Sequence, residues 1–192
     1  MAKLNWGAAG QRFYETGVDR GVLYPNGGPG VAWNGLISVN ESPKGGDSQS
    51  YYLDGVKYLN LAEAEEYSAT IEAYTYPAEF EVCDGTAMHR NGMLVTQQPR
   101  QRFGLSYRTL VGNDIKGMDK GYKIHLVYNA LAAPTSRSYG TITNAMEVMT
   151  FTWDLTTTPV FLLGRKPSSH IVLDTATAPS ELITQVENLL YG

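Results

Sequence analysis

The sequence predicts a mainly β fold, an antiparallel β-sandwich or partly closed barrel with one or two flanking helices. Three observations carry this. Runs with a period of two recur along the 192 residues, turn-forming residues separate them, and only the last stretch of chain has helical spacing. A period of two puts one face on a core and the other toward water, as in half-buried antiparallel strands.

The elements follow in chain order. Val31, Trp33, Gly35, Ile37 and Val39 share one face of a candidate strand. Tyr51-Tyr52-Leu53 and Val56-Lys57-Tyr58 flank Asp54-Gly55, the clearest two-residue hairpin signal in the chain. Tyr67, Ala69, Ile71 and Ala73 lie opposite Ser68, Thr70 and Glu72. Residues 77–100 alternate poorly and are expected to form a long irregular excursion, with one helical turn at Ala78 to Val82. Phe103, Leu105, Tyr107 and Thr109 alternate with Arg102, Ser106 and Arg108. Tyr122, Ile124, Leu126 and Tyr128 are expected on a core face, with Lys123, His125 and Asn129 on the more polar one. Met149, Phe151, Trp153 and Leu155 alternate with Thr150, Thr152 and Asp154.

Further turns are expected at Asn26-Gly27-Gly28-Pro29-Gly30, from Pro43 to Asp47, and at Asn91-Gly92. A helix is expected over about 179–190: Pro179 suits its first position, and Glu181 sits near the positive end of its dipole. Leu182, Ile183, Val186, Leu189 and Leu190 then form a stripe expected to pack on a sheet. No repeat or linker divides the chain. Residues 1–192 are therefore expected to be a single domain with an N-terminal arm over about 1–11.

Composition excludes several classes. A hydrophobic fraction of 43% with 18% charged residues argues for an ordered chain. The single cysteine, Cys83, allows no intrachain disulfide and no cysteine cluster, and its flanks Val82 and Asp84 suggest an inert thiol. Trp6, Gly7 and Arg12 interrupt any signal-like apolar run, and no stretch reaches the roughly 18 apolar residues that span a bilayer. The net charge of −4 is unevenly spread: residues 58–89 carry seven acidic and no basic groups, and residues 90–137 carry eight basic and two acidic. Such blocks suit pairing with further copies of the chain, or pairing between neighbouring strands of one subunit.

No catalytic constellation assembles from the sequence. Gly27-Gly28-Pro29-Gly30 lacks the Lys and Ser/Thr of a phosphate loop, and Gly104-Leu105-Ser106-Tyr107-Arg108 lacks the second glycine of a nucleophile elbow. His89, His125 and His170 show no metal-ligand spacing, and His125 is expected to be solvated or at an interface. Glu63, Glu65 and Glu66 read as a solvated edge. Arg90, Arg100, Arg102 and Arg108 stand in an acidic protein and do not make a nucleic-acid surface. The residues alone point to a binding or structural module, not an enzyme, with no cofactor or metal.

A resemblance sharpens this. Leu4-Asn5-Trp6-Gly7, the run from Arg12 to Tyr24, Trp33-Asn34-Gly35-Leu36 and Tyr76-Pro77-Ala78-Glu79-Phe80 with Cys83-Asp84-Gly85 resemble siphophage major tail proteins, especially those of actinobacteriophages. The densest likeness is Gln98-Pro99-Arg100, Phe103 to Arg108, Gly112-Asn113-Asp114 and Gly121 to Tyr128, and the ending Leu189-Leu190-Tyr191-Gly192 fits as well. Order and spacing carry the likeness more than any one motif. It implies the phage tail-tube fold and self-assembly into hexameric rings stacked head-to-tail as a hollow tube in the virion, assembled in the host cytoplasm. The implied partners are the tape measure protein, tail terminator and distal tail proteins, with double-stranded DNA passing transiently and no membrane. An acidic bore would repel that DNA, and Glu63, Glu65, Glu66 and Glu72 are the candidate lumen-lining residues, on strands around 51–58 and 63–76. The competing readings are a tail terminator or other single-ring component, and a carbohydrate-binding β-sandwich module.

Overall fold

The computed structural model describes residues 4–26, 28–142 and 148–192, so residues 1–3 of the expected arm and Gly27 of the first glycine-rich turn lie outside the described residues. Within them the strands are β1 (Phe13–Pro25), β2 (Val31–Ala32), β3 (Leu36–Glu41), β4 (Ser48–Leu53), β5 (Val56–Ala62), β6 (Ser68–Ala73), β7 (Ala87–Arg90), β8 (Met93–Val95), β9 (Phe103–Asn113), β10 (Gly117–Pro134), β11 (Phe151–Thr157) and β12 (His170–Asp174). Two α-helices accompany them, α1 (Glu81–Asp84) and α2 (Ser180–Tyr191). The fold is mainly β and antiparallel, as expected.

Eight strands form one sheet in the order β2-β1-β9-β10-β11-β6-β3, with β12 also paired to β10. The long β10 serves three neighbours: β9 over Gly117–Ala130, β12 over Lys123–Val127 and β11 over Ala130–Pro134. Where its partner changes, the register against β9 shifts between Val127 and Ala130, and Asn129 takes φ 54°. Such a bulge turns a strand and lets a sheet curl. The curl brings β1 and β3 into contact, although no ladder joins them. The chain itself spans the gap: β2 pairs with β1, β3 pairs with β6, and only Trp33, Asn34 and Gly35 lie between β2 and β3. The barrel is thus partly closed, by a covalent link.

That link breaks the strand expected over Val31 to Val39 in two. Trp33 buries its ring and donates from Nε1 to the Thr75 carbonyl at 2.9 Å. Gly35 sits at φ 90°, where a Cβ would lie 2.8 Å from the Thr75 side chain. An indole that must be both buried and hydrogen-bonded overrides the alternation around it.

The core is aromatic at its centre. The Phe80 ring lies 4.6 Å from Trp33, 5.1 Å from Trp153 and 5.3 Å from Phe103, centroid to centroid. Phe80 comes from the excursion at 77–100, which is more ordered than the sequence suggests. It holds a 3₁₀ turn at Ala78–Phe80, then α1, then the hairpin β7–β8 across Asn91-Gly92. Cys83 on α1 is fully buried, and burial pushes its thiol up to about 11, which keeps it protonated and inert. Asp84 is held in the interior by Trp153 Nε1 and by the Arg137 guanidinium, each at 2.7 Å.

β9 and β10 are covered on both faces, and this reverses one expectation. His125 pairs with Tyr107 and Val127 with Leu105, so His125 faces the barrel interior and is buried instead of solvated. Ile124 on the opposite face is also buried. α2 lies on that outer side, where the Tyr24 hydroxyl donates to the Leu190 carbonyl and the Tyr122 hydroxyl to Glu187 Oε1, both at 2.9 Å. Pro179 is the N-cap, one position earlier than expected. No α2 residue is fully buried and Leu189 is 81% exposed, so its stripe is a half-covered outer layer. Among the described residues no helix is long and apolar enough to cross a membrane.

Candidate assembly surfaces

Two hairpins stand apart from the barrel sheet. Among the described residues β4 and β5 pair only with each other, as do β7 and β8. The β4–β5 turn is Asp54-Gly55, with φ 51° and 76°, the two positive values that a type I′ turn needs. Leu53 pairs with Val56, Tyr51 with Leu59 and Gln49 with Leu61, which places Tyr51, Leu53, Val56, Leu59 and Leu61 on one face. All five are exposed, Val56 at 69%. The opposite face carries Ser50, Asn60 and Lys57 beside Tyr52. On β7–β8, Met88, Met93, Leu94 and Val95 are exposed as well. A lone two-stranded hairpin is marginal in water, and contiguous exposed apolar surface of this kind marks a contact site.

The four acidic candidates divide into two places. Glu63, Glu65 and Glu66 cluster at the root of the β4–β5 hairpin and are exposed. There Gln49 Nε2 donates to Glu63 Oε1 at 2.8 Å, and Glu66 and Lys44 exchange backbone hydrogen bonds at 2.8 and 2.9 Å. Glu72 lies roughly 20 Å further along the chain in extended backbone, on the outer face of β6. It shares that face with Ser38 of β3 and Thr152 of β11, and the next row is Asn40, Thr70 and Asp154. Thr70 donates to Asp154 Oδ1 at 2.8 Å. This three-stranded face offers hydroxyls, amides and carboxylates and no Lys or Arg.

The charge blocks are satisfied in part within the subunit. Arg108 clamps Asp19 with two hydrogen bonds of 2.6 and 2.5 Å, Lys123 meets Glu15 at 2.5 Å, and Arg137 meets Asp84 at 2.7 Å. Among the described residues Glu63, Glu65, Glu66 and Glu72 form no ion pair, and neither do Arg90, Arg100 and Arg102.

Sequence spacing gave no hint of one polar group inside the barrel. His125 of β10 and His170 of β12 meet because those two strands pair, with Val127 opposite His170. Their Nδ1 and Nε2 atoms are 3.2 Å apart, and Glu41 Oε1 of β3 is 3.5 and 3.8 Å from them. Tyr107 stacks on His125 at 4.6 Å between centroids and donates its hydroxyl to Glu41 Oε1 at 2.5 Å, while the Tyr67 hydroxyl lies 3.3 Å from that of Tyr107. Burial holds both imidazoles below the usual histidine range, with Glu41 acting against it. Ser106 is buried on the other face of β9, 3.5 Å from the Tyr24 hydroxyl and, among the described residues, without a histidine partner.

No protein-family model matches the chain, and no curated protein matches it. Among solved structures the chain is similar to a protein of the anti-feeding prophage baseplate (6-fold symmetrised), at 13% identity over 91% of this chain and 100% of that one, with a TM-score of 0.41. It is also similar to a protein of an extracellular contractile injection system, the PVC sheath-tube complex in its extended state. That likeness is 14% identity over 90% of this chain and 95% of that one, with a TM-score of 0.36. Scores this low establish neither a shared fold nor a shared role.

Proposed function

We propose that the chain is a structural subunit of a phage-type tail tube, built by self-assembly, and that it is not an enzyme. The observation that carries this is the exposed apolar face of the β4–β5 hairpin, from Tyr51 to Leu61, which no other strand or helix among the described residues covers. The residue-level resemblance described above supplies the class of assembly. A hairpin offered by each copy to the next makes a head-to-tail contact, and such contacts close into rings or propagate into filaments. On this reading six copies form a ring and rings stack into the tube, with the tape measure protein, tail terminator and distal tail proteins as its other partners. The acidic root of the hairpin and Arg90, Arg100 and Arg102, which form no ion pair among the described residues, set register between copies.

The polar face of β3, β6 and β11 is assigned to the bore, with Glu72 and Asp154 on it and Glu63, Glu65 and Glu66 at its margin. Gripping DNA requires lysine and arginine contacts to phosphate, and this face has none. The hairpin strands around 51–58, apolar on one face, suit contact between copies better than a wall along which DNA slides.

Negative-stain electron microscopy of the purified chain at rising concentration, with light scattering alongside, tests the proposal. Hollow tubes of uniform width are the expected result. Isolated rings that never stack would replace it with a terminator-type role. A monomer at every concentration, even with tail initiator proteins added, would sink it and favour a ligand-binding β module.

A further inference from the structure

We infer that Glu41, His125 and His170 form a binding site for a divalent transition-metal ion, Zn²⁺ best of all, which ties the barrel's edge strand β3 to β10 and β12. This goes beyond the assembly role and is independent of it. The three ligand atoms stand 3.2, 3.5 and 3.8 Å apart. A point about 2.0 Å from all three lies inside that triangle, and about 2.0–2.2 Å is the bond length of zinc to imidazole nitrogen and carboxylate oxygen. Two imidazoles and one carboxylate are a borderline donor set that suits Zn²⁺, with a fourth position left for water.

The shell around these atoms fixes the tautomer that a ligand needs. Thr109 gives its only hydroxyl proton to Glu15 Oε1 at 2.6 Å, so its oxygen accepts from His125 Nε2–H at 3.0 Å. The His125 Nδ1 lone pair is therefore the one that faces His170 and Glu41. A ligand imidazole whose other nitrogen donates into a hydrogen-bonded chain ending on a carboxylate is the usual outer arrangement of a metal site. Burial keeps both rings neutral, the form that coordinates. Entry is from the Glu41 side, where 38% of that side chain is exposed against 9% for His125.

Without a cation the same atoms hold a proton between the rings. The two imidazoles are within 14° of parallel with centroids 5.4 Å apart, the head-on geometry of an N–H···N hydrogen bond. Coordination turns the outer ring, His170, so that its Nε2 lone pair aims at the centre of the triangle, and its ring proton moves from Nε2 to Nδ1, so the ring stays neutral.

The test is metal binding by the untagged full-length chain. Equilibrium dialysis against Zn²⁺ is expected to give one ion per chain, and Co²⁺ to give the intense visible bands of a four-coordinate site. Zn²⁺ should also shift the ring signals of His125 and His170 in the unaltered protein. Glu41→Gln alters the partly exposed ligand, with circular dichroism as the check on folding, and is expected to weaken binding at least tenfold. Thr109→Val, which removes only the outer support, is expected to cost about tenfold. His89→Asn should change nothing. Absence of stoichiometric binding, or binding that survives Glu41→Gln while the His125 and His170 signals stay put, overturns the site and leaves a histidine–histidine hydrogen bond.

Discussion

The barrel interior and the β4–β5 hairpin use the same residue types, tyrosine, leucine and valine at alternate positions, and end in opposite states. Ile71, Leu105, Val127 and Leu155 are essentially inaccessible, whereas Leu53, Val56, Leu59 and Leu61 are open to water. Local pattern is alike in both. The difference is a second layer: the sheet curls until β1 meets β3, and the Phe80 segment fills its middle, while β4 and β5 have only each other. Alternation says that a strand has an apolar face; it does not say whether that face finds its cover in the same chain.

The comparison breaks most sharply at Phe80. This ring touches Trp33, Tyr76, Phe103 and Trp153 and joins the two halves of the barrel to the segment that precedes β7. Phe80→Ala is expected to lower the unfolding free energy of the monomer by about 3–5 kcal/mol, the range for removing a buried aromatic ring. Urea denaturation with a two-state fit measures it. A loss below about 1 kcal/mol would mean that the segment is an appendage and not part of the core.

A smaller effect is expected where the interior is polar. Burial raises the Tyr107 and Tyr67 hydroxyls well above the usual tyrosine range, and Glu41 adds to the effect on both. Their stabilising contribution is complete below pH 10, the ordinary tyrosine value, and falls as pH rises through the window from there to the folded-state values, because the unfolded chain loses those protons first. The groups facing them are Glu41 of β3, His125 of β10 and His170 of β12. Tyr107→Phe should cost about 1 kcal/mol near neutral pH, one hydrogen bond, and should flatten the fall in stability above pH 10. An unchanged alkaline slope would show that Tyr107 ionises freely and that this end of the barrel is open to water.

The sequence made the barrel legible wherever one face was wet. β6 and β11 show it, with Ala69, Ile71, Trp153 and Leu155 inside as expected. It failed where both faces are covered: at β10, α2 on one side and the interior on the other make His125 and Ile124 equally buried, and alternation has no polar phase to report. β1 escaped notice for another reason. Its bulges at Gly17 and at Arg20-Gly21 shift the register against β9, so a 13-residue strand has no continuous period. Glu41, His125 and His170 were illegible as a group because strand pairing, not spacing, brings residues from three strands together. The hairpin turn at Asp54-Gly55 was legible because its chemistry is local.

The smallest effect on the fold should fall on the hairpin, and there the comparison becomes a test of function. Leu53 and Val56 face each other beside the turn, at 58% and 69% exposure, so neither is part of the monomer's core. Replacing both with threonine keeps β propensity and the turn while removing apolar surface. The monomer's unfolding free energy should change by less than about 0.5 kcal/mol, as for surface positions in general. Self-association, followed by light scattering over concentration, should fall sharply, because the substituted atoms meet solvent in the monomer and protein only between copies. A large stability loss with assembly intact would place the hairpin inside the fold, packed on its own barrel. A stable monomer that still assembles as before would move the contact between copies to β7–β8, where Met88, Met93, Leu94 and Val95 form the remaining exposed apolar surface on a two-stranded arm.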